Sequence, residues 1–205
     1  MFSILRLMIF GCLSQIALSC TCGPKHPQSA YCDSAVVIRA KFVGQSKSEK
    51  QEQWMQYEVK PTKVFKAPDN VGEIEFVHTA REDSMCGYIH QSKNRSEEFL
   101  ITGYVVNNVV VINSCGFIAP WASLSFSQKR GFQQVYEKGC TCKIVPCYSM
   151  PCEVTSDSQC LWTDPFMQKN QQARDLACLD KGNGLCVWEN QKYRLLTTLS
   201  KSKKH

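Results

Sequence analysis

Residues 36–44 have the sequence Val36-Val37-Ile38-Arg39-Ala40-Lys41-Phe42-Val43-Gly44. The middle of this stretch alternates apolar and basic side chains and β-branched residues are frequent, which predicts one long strand. Three more strands are predicted at 54–65, 73–78 and 99–104, and a fifth at 109–112 follows an Asn-Asn turn. Five strands joined by polar loops within about eighty residues predict a small closed barrel.

Helices are predicted on both sides of these strands. Before them, residues 28–34 predict a short helix that carries Cys32 and follows a segment rich in proline. After them, residues 124–138 place Leu124, Phe132, Val135 and Tyr136 at roughly helical spacing. A helix packed on the barrel would bury these side chains. The predicted fold class is therefore mainly β with flanking helices.

The first nineteen residues predict a secretory signal peptide. They carry one basic residue, Arg6, then an apolar run, and they end on Ala17-Leu18-Ser19, which favours cleavage before Cys20. A transmembrane anchor would need roughly 20 apolar residues, and this run is shorter and contains Ser14 and Gln15. We therefore expect a secreted, extracellular product without a transmembrane segment.

Cysteine usage agrees with an oxidising compartment. Removing residues 1–19 takes away Cys12, one of 13 cysteines, and leaves an even number, which is typical of a disulfide framework. Zinc binding by the cysteines of 140–160 is the alternative, but paired C-x-x-C motifs are lacking there. Cysteines are sparse before residue 140 and dense after it, which predicts a domain at 20–140 and a small disulfide-rich domain at 141–205.

The formal net charge of +6 is mild, and part of it lies in a tail with Lys201, Lys203 and Lys204. Such a tail can bind sulfated glycans or acidic membrane surfaces, although a solvated chain end is the commoner case. Asn94-Arg95-Ser96 is a glycosylation acceptor in a polar loop, so we expect a glycan on Asn94.

Motifs of catalysis are missing from the sequence. It contains neither an H-E-x-x-H zinc helix, nor a G-x-S-x-G elbow, nor a glycine loop for phosphate. His26, His78 and His90 are isolated from one another, and we expect each to be a loop or surface imidazole. Binding, not catalysis, is the predicted class of function.

Several blocks of sequence, which together cover essentially the whole chain after the leader, form a recognisable pattern. The blocks are Cys20-Thr21-Cys22, His26-Pro27-Gln28, residues 37–44 and 94–101, Ala119-Pro120-Trp121, Arg130-Gly131-Phe132, and Cys160-Leu161-Trp162-Thr163-Asp164. With these blocks the chain resembles the tissue inhibitors of metalloproteinases.

The resemblance implies an amino-terminal, netrin-like barrel of the oligonucleotide/oligosaccharide-binding (OB-fold) type and a smaller carboxy-terminal domain. It also implies a disulfide pairing that the sequence alone leaves open. The implied pairs are Cys20–Cys86, Cys22–Cys115, Cys32–Cys140, Cys142–Cys186, Cys147–Cys152 and Cys160–Cys178.

The resemblance further implies inhibition of matrix metalloproteinases, regulating extracellular matrix turnover. The amine and carbonyl oxygen of Cys20 would chelate the catalytic zinc of the target, and the inhibitor would need no cofactor of its own. Thr21 would enter the specificity pocket. Cys22, Gly23 and Pro24 would continue this contact, and a second strip would be formed by Ser84, Met85 and Cys86.

One residue and one cysteine spacing depart from the usual pattern of the family. Gly23 stands where members usually carry a side chain, and only some members share the one-residue spacing of Cys140-Thr141-Cys142. The first departure removes a contact from the inhibitory segment, and the second leaves the subtype unassigned.

Other functions remain open at this point. The chain could be a non-inhibitory netrin-like module that binds a receptor, a proenzyme such as a progelatinase, or a matrix glycan, partly through its second domain. The barrel type also allows oligosaccharide or nucleic-acid binding, for which aromatic residues among lysines are needed. Trp54, Tyr57 and Phe65 with Lys60, Lys63 and Lys66 fit that need loosely, and core packing explains the aromatic residues more simply. We expect no nucleic acid partner, and a monomer that forms a one-to-one complex with its target.

Overall fold

A computed structural model describes residues 20–47 and 53–191. The predicted signal peptide at 1–19, with Cys12, and the basic tail at 201–204 lie outside the described residues. In the described part no helix has the length and apolar character needed to cross a membrane.

The described part of the chain is mainly β with a few short helices. The strands are β1 (Val36–Lys47), β2 (Trp54–Lys66), β3 (Phe76–Ala80), β4 (Glu98–Val106), β5 (Val109–Val111), β6 (Ile118–Pro120), β7 (Lys143–Pro146), β8 (Gln159–Trp162), β9 (Leu176–Asp180) and β10 (Cys186–Asn190). The α-helices are α1 (Pro27–Asp33), α2 (Phe126–Arg130), α3 (Asp164–Met167) and α4 (Gln171–Asp175).

Strands β1 to β5 form a ring. β1 pairs antiparallel with β2, β2 with β3, β3 lies parallel to β5, and β5 pairs with β4. The pairing of β4 with β1, from Val36 opposite Gly103 to Lys41 opposite Glu98, closes the ring. The five predicted strands are present, but β3 begins at Phe76, later than predicted, and β6, which pairs with β4, was not predicted. The OB-fold assignment stays a prediction.

Side chains of strand β1, which pairs with both β2 and β4, pack alternately into two different hydrophobic clusters. Val36, Ile38, Ala40 and Phe42 point into the ring, where they join a cluster with residues of β2 to β5. Val37 belongs to a second cluster outside the ring, packed against the helical segment. Both faces of β1 are therefore buried over part of its length, which explains the continuous apolar run at its start.

The helical segment after β6 is less regular than predicted. α2 ends at Arg130, a wider π-helical turn covers Gly131–Val135, and a tighter 3-10 turn covers Tyr136–Gly139. The predicted apolar side chains Leu124, Phe132, Val135 and Tyr136 are nevertheless all buried. A side chain on Gly131 would collide with the ring of Tyr136, so this close packing requires glycine there.

The carboxy-terminal part packs against the outer face of the strand ring, in the cluster that contains Val37. It contains a parallel pair, β7 with β8, and an antiparallel hairpin, β9 with β10. Ala177 and Leu179 of β9 lie in the same buried cluster as Tyr31 of α1 and Leu100 of β4. The division into domains at residue 140 stays a prediction, while this cluster joins residues from both sides of it.

Candidate functional site

Two neighbouring disulfides hold the amino-terminal end of the described chain. Cys20 is bonded to Cys86 and Cys22 to Cys115, each with 5.1 Å between the Cα atoms. The four sulfur atoms lie within 4.8 Å of one another, a spacing that thiolates could use for a metal ion, but here they are consumed in disulfides. The remaining disulfides are Cys32–Cys140, Cys142–Cys186, Cys147–Cys152 and Cys160–Cys178, so the pairs are those that the family resemblance implies.

Residues 20–24 form an exposed strip, which we call the amino-terminal strip. Cys20 is half-buried, whereas the other four residues are exposed and have no regular secondary structure. Lys25 is also exposed, and beyond it His26 and Pro27 are buried. The strip is therefore held at one end by two disulfides and at the other end by a buried anchor, which reduces the entropy it would lose on binding.

Ser84, Met85 and Cys86 lie next to the amino-terminal strip because Cys86 is bonded to Cys20. Ser84 and Met85 are exposed in a single 3-10 turn, and Met85 is 46% exposed. Cys86 has φ of 57°, and its amide donates to the carbonyl of Asp83 over 2.9 Å while its carbonyl accepts from the amide of Ser114 over 2.9 Å. The predicted contact residues thus form two adjoining exposed strips.

His26 anchors the amino-terminal strip, and the prediction that it is a loop or surface imidazole is wrong. It is 1% exposed and caps α1, with Nδ1 accepting from the amide of Gln28 over 3.1 Å. The ring proton is therefore on Nε2, which donates to the carbonyl of Gln172 over 3.2 Å. The indole rings of Trp162 and Trp188 lie 5.5 Å and 5.2 Å away, and this burial lowers the pKa of His26 to about 4.

Gln28, two residues further on, links α1 to the carboxy-terminal part. Its side-chain amide donates to the carbonyls of Gly139 and Cys178 over 2.9 Å and 2.7 Å. Its side-chain carbonyl accepts from the amide of Cys178 over 2.8 Å. A single buried side chain therefore hydrogen-bonds to three backbone groups, of which the Gly139 carbonyl also accepts from the amide of Cys142 over 3.0 Å.

Tyr148 lies beside the amino-terminal strip and was not predicted to belong to the site. It is 56% exposed and stands in the loop closed by the Cys147–Cys152 disulfide. A Cβ atom on Gly23 would lie 3.5 Å from its hydroxyl oxygen. The only sequence signal for this loop was the implied Cys147–Cys152 pair, which does not say where the loop lies.

The remaining candidate residues lie apart from the two exposed strips or in the core. Asn94 is exposed, and its side-chain oxygen accepts from the amide of Ser96 over 3.0 Å. Tyr57 is buried in the ring, and Phe65 stacks on Trp121 with the ring centroids 5.9 Å apart. His78 and His90 are half-buried, and burial lowers the pKa of each. These aromatic residues pack within the fold instead of forming a row of exposed stacking faces.

Comparisons with known proteins identify the family. A family model described as "Tissue inhibitor of metalloproteinase" matches residues 18–188. "Metalloproteinase inhibitor 3" of Xenopus laevis is 38% identical over 187 residues, which cover 89% of this chain and 86% of the relative. "Metalloproteinase inhibitor 3" of Scyliorhinus torazame is 38% identical over 181 residues, covering 86% of this chain and 83% of the relative. "Metalloproteinase inhibitor 2" of Homo sapiens is 36% identical over 195 residues, covering 90% and 87%.

Proposed function

The chain belongs to the tissue inhibitors of metalloproteinases, and from this membership we propose that it is secreted, begins at Cys20 after cleavage, and blocks matrix metalloproteinases at their catalytic zinc. Its relatives are metalloproteinase inhibitors, not enzymes. The observation that carries the proposal is the exposed strip of residues 20–24, held by two disulfides and by buried His26. An exposed but rigid segment suits an inhibitor that must enter a substrate cleft at low entropic cost.

The proposed chemistry uses only the backbone of Cys20. A catalytic zinc keeps three protein ligands and one position for water or substrate. Once residues 1–19 are removed, the free amine and the carbonyl oxygen of Cys20 can close a five-membered chelate on that zinc. The attacking water is then displaced, so peptide hydrolysis stops.

The amine must be neutral to bind zinc. An unperturbed α-amino group has a pKa of about 7.7 to 8.0, so a substantial neutral fraction exists near physiological pH. Metal binding then removes the proton from the rest, because the ligand form is the deprotonated one. Inhibition should consequently weaken as the pH falls below that pKa.

The side chains near Cys20 are proposed to set selectivity. Thr21 is exposed next to the proposed chelate, where its side chain would enter the pocket for the residue after the scissile bond. Ser84 and Met85 would occupy the other side of the cleft, and the Cys20–Cys86 disulfide fixes their position relative to the chelate. Cys22, Gly23 and Pro24 would extend the contact away from the zinc.

We also propose binding partners other than active metalloproteinases. Progelatinases are proposed to bind through residues 141–205, and a cell-surface receptor or sulfated glycans are proposed as additional ligands. Asn94 is exposed, as a glycan acceptor must be. The complex with a protease is proposed to contain one copy of each protein.

A form with one alanine added before Cys20 tests the proposed mechanism. Acylating the amine of Cys20 removes its lone pair from coordination, so we expect inhibition of a matrix metalloproteinase to fall by at least about 1,000-fold, since several kcal/mol of zinc coordination are lost at about 1.4 kcal/mol per tenfold. The inhibition constant of the extended form is compared with that of the form beginning at Cys20.

Urea unfolding of both forms provides the control, because the added residue should leave the midpoint unchanged. Equal inhibition by the two forms would exclude the chelate. Absence of inhibition by the form beginning at Cys20 would contradict the proposed function itself and favour a non-inhibitory binding module.

A further inference from the structure

We propose that Tyr148 completes the protease-binding surface by supplying, from the carboxy-terminal part, the side-chain contact that Gly23 lacks. This inference rests on the proposed function, because it assigns Tyr148 a role in the same complex. It makes Tyr148 a specificity-determining residue for the target protease. It also links two positions that are far apart in the sequence.

The first observation is the proximity of the two residues. A Cβ atom on Gly23 would lie 3.5 Å from the hydroxyl oxygen of Tyr148, which is an ordinary van der Waals separation. The Tyr148 hydroxyl therefore stands at the space into which a longer side chain on residue 23 would extend. Gly23 leaves that space to the tyrosine.

The second observation is the exposure of Tyr148. The residue is 56% exposed, and Met150 in the same loop is 65% exposed. A large, exposed side chain next to the amino-terminal strip, such as Tyr148, enlarges the surface that a bound protease would meet. Tyrosine suits such a contact because it buries a large apolar area, keeps a polar group for hydrogen bonding, and loses little conformational entropy.

The third observation is that the segments carrying Gly23 and Tyr148 are both anchored to Trp162, which is buried. His26, three residues after Gly23, lies with its ring centroid 5.5 Å from that of Trp162. The carbonyl of Trp162 accepts from the amide of Cys147 over 2.8 Å, and Cys147 directly precedes Tyr148. Cys147 is itself buried and bonded to Cys152. The separation of Tyr148 from the amino-terminal strip is therefore fixed by packing.

The position of this contact follows from the length of the strip. An extended chain rises about 3.3 Å per residue, so Gly23 stands up to about 10 Å from Cys20. Tyr148 would therefore touch the target on the side of the cleft that binds residues after the scissile bond, well outside the zinc coordination sphere. Its contribution should differ between proteases whose clefts differ there, as expected of a specificity contact.

The test measures inhibition constants and dissociation rates for the form beginning at Cys20 against two matrix metalloproteinases. We expect Tyr148→Ala to weaken inhibition of at least one of them about tenfold, mainly through faster dissociation. Tyr148→Phe separates the hydroxyl from the ring, and should retain most of the affinity if the ring carries the contact. Phe126→Ala is the matched control, because Phe126 of α2 is also 56% exposed and should leave inhibition unchanged.

A double-mutant cycle with Gly23→Val tests the link between the two residues. Valine at position 23 would push against the Tyr148 hydroxyl, so Tyr148→Ala should have a smaller effect on inhibition in the Gly23→Val background than in the wild type. Unfolding midpoints of all variants verify that each is folded.

Unchanged inhibition by Tyr148→Ala, or an equal loss in Phe126→Ala, would overturn the inference while the wild type still inhibits. Strictly additive effects of Gly23→Val and Tyr148→Ala would overturn the link to Gly23. An inactive wild type would overturn the proposed function, and this inference with it.

Discussion

At the scale of single residues, His26 makes the geometry of the exposed strip depend on a neutral imidazole. Nδ1 accepts from the amide of Gln28, and Nε2 donates to the carbonyl of Gln172. A second ring proton would remove the acceptor and leave a charge between two indole rings. Burial is accordingly the main cause of the lowered pKa, which the hydrogen bond to Gln172 and the nearby Asp164 oppose.

This lowered pKa predicts a loss of stability in acid. The pKa of His26 is 6.5 when unfolded and about 4 when folded, so its contribution is complete above pH 6.5 and is lost as the pH falls towards 4. The loss in unfolding free energy should approach roughly 3 kcal/mol, at about 1.4 kcal/mol per unit of pKa. Urea unfolding at several pH values measures it.

His26→Asn is the comparison for that experiment, since asparagine can still cap α1 but does not titrate. Its unfolding free energy should depend less steeply on pH between 6.5 and 4. His78 and His90, whose pKa values burial also lowers, titrate in both proteins and cancel in the difference. Identical pH dependence in both proteins would show that His26 is not the group responsible.

Gln28 gives a second prediction at this scale. Gln28→Ala removes the buried side chain that hydrogen-bonds to the amide and the carbonyl of Cys178 and to the carbonyl of Gly139. The Gly139 carbonyl keeps the amide of Cys142 as a donor, so the loss falls on the two groups of Cys178. We expect a loss of about 3 kcal/mol in unfolding free energy, because each unpaired buried group costs about 1 to 3 kcal/mol. Gln133→Ala, on the exposed side of the helical segment, should change stability by less than about 0.5 kcal/mol. Similar losses in both variants would contradict the role of Gln28.

At the scale of secondary structure elements, α2 begins with a capping box. The Ser125 hydroxyl oxygen accepts from the amide of Gln128 over 3.0 Å, and the Gln128 side chain accepts from the amide of Ser125 over 2.8 Å. The Ser125 hydroxyl also donates to the carbonyl of Arg174 in α4. This cap therefore starts one helix and joins it to another.

Ser125→Ala should lower the unfolding free energy by about 1 to 2 kcal/mol, since it removes the cap and the bond to α4. Chemical denaturation of the variant measures the effect. Ser46→Ala, at an exposed position of β1, serves as the control and should have almost no effect. A loss below about 0.3 kcal/mol at Ser125 would mean that water replaces both bonds at no cost.

The elements that were predicted incorrectly share a physical cause. β6 is three residues long and forms only by pairing with β4, so it has no periodic pattern of its own. The helical segment changes from α to π geometry at Gly131, where the ring of Tyr136 packs against the glycine. In both places tertiary contacts, which local propensity does not contain, determine the backbone.

At the scale of the whole molecule, the disulfides differ greatly in the length of chain that they close. Cys32–Cys140 spans 108 residues, and Cys147–Cys152 spans five. In the chain-entropy relation the first should stabilise the fold by about 4.7 kcal/mol and the second by about 2 kcal/mol. The difference arises because a cross-link that closes a longer loop removes more conformational entropy from the unfolded chain.

Replacing both cysteines of each pair by alanine tests this ranking by denaturant unfolding. The Cys32→Ala/Cys140→Ala protein should lose more stability than the Cys147→Ala/Cys152→Ala protein by at least about 2 kcal/mol. The short-loop variant is the matched control for the loss of two sulfur atoms. The reverse order would show that native packing at these cysteines, not chain entropy, determines their contribution.

The sequence by itself determined the family, the mainly β class and the positions of the five ring strands, because those features depend on motifs and on local periodicity. It also led to the disulfide pairs and to residues 20–24 and 84–86 through the resemblance. Only the tertiary structure decided the buried state of His26, the role of Gln28 between β9 and α1, and the position of Tyr148 over Gly23. These last features arise where distant segments pack together, and no pattern within either segment encodes the other.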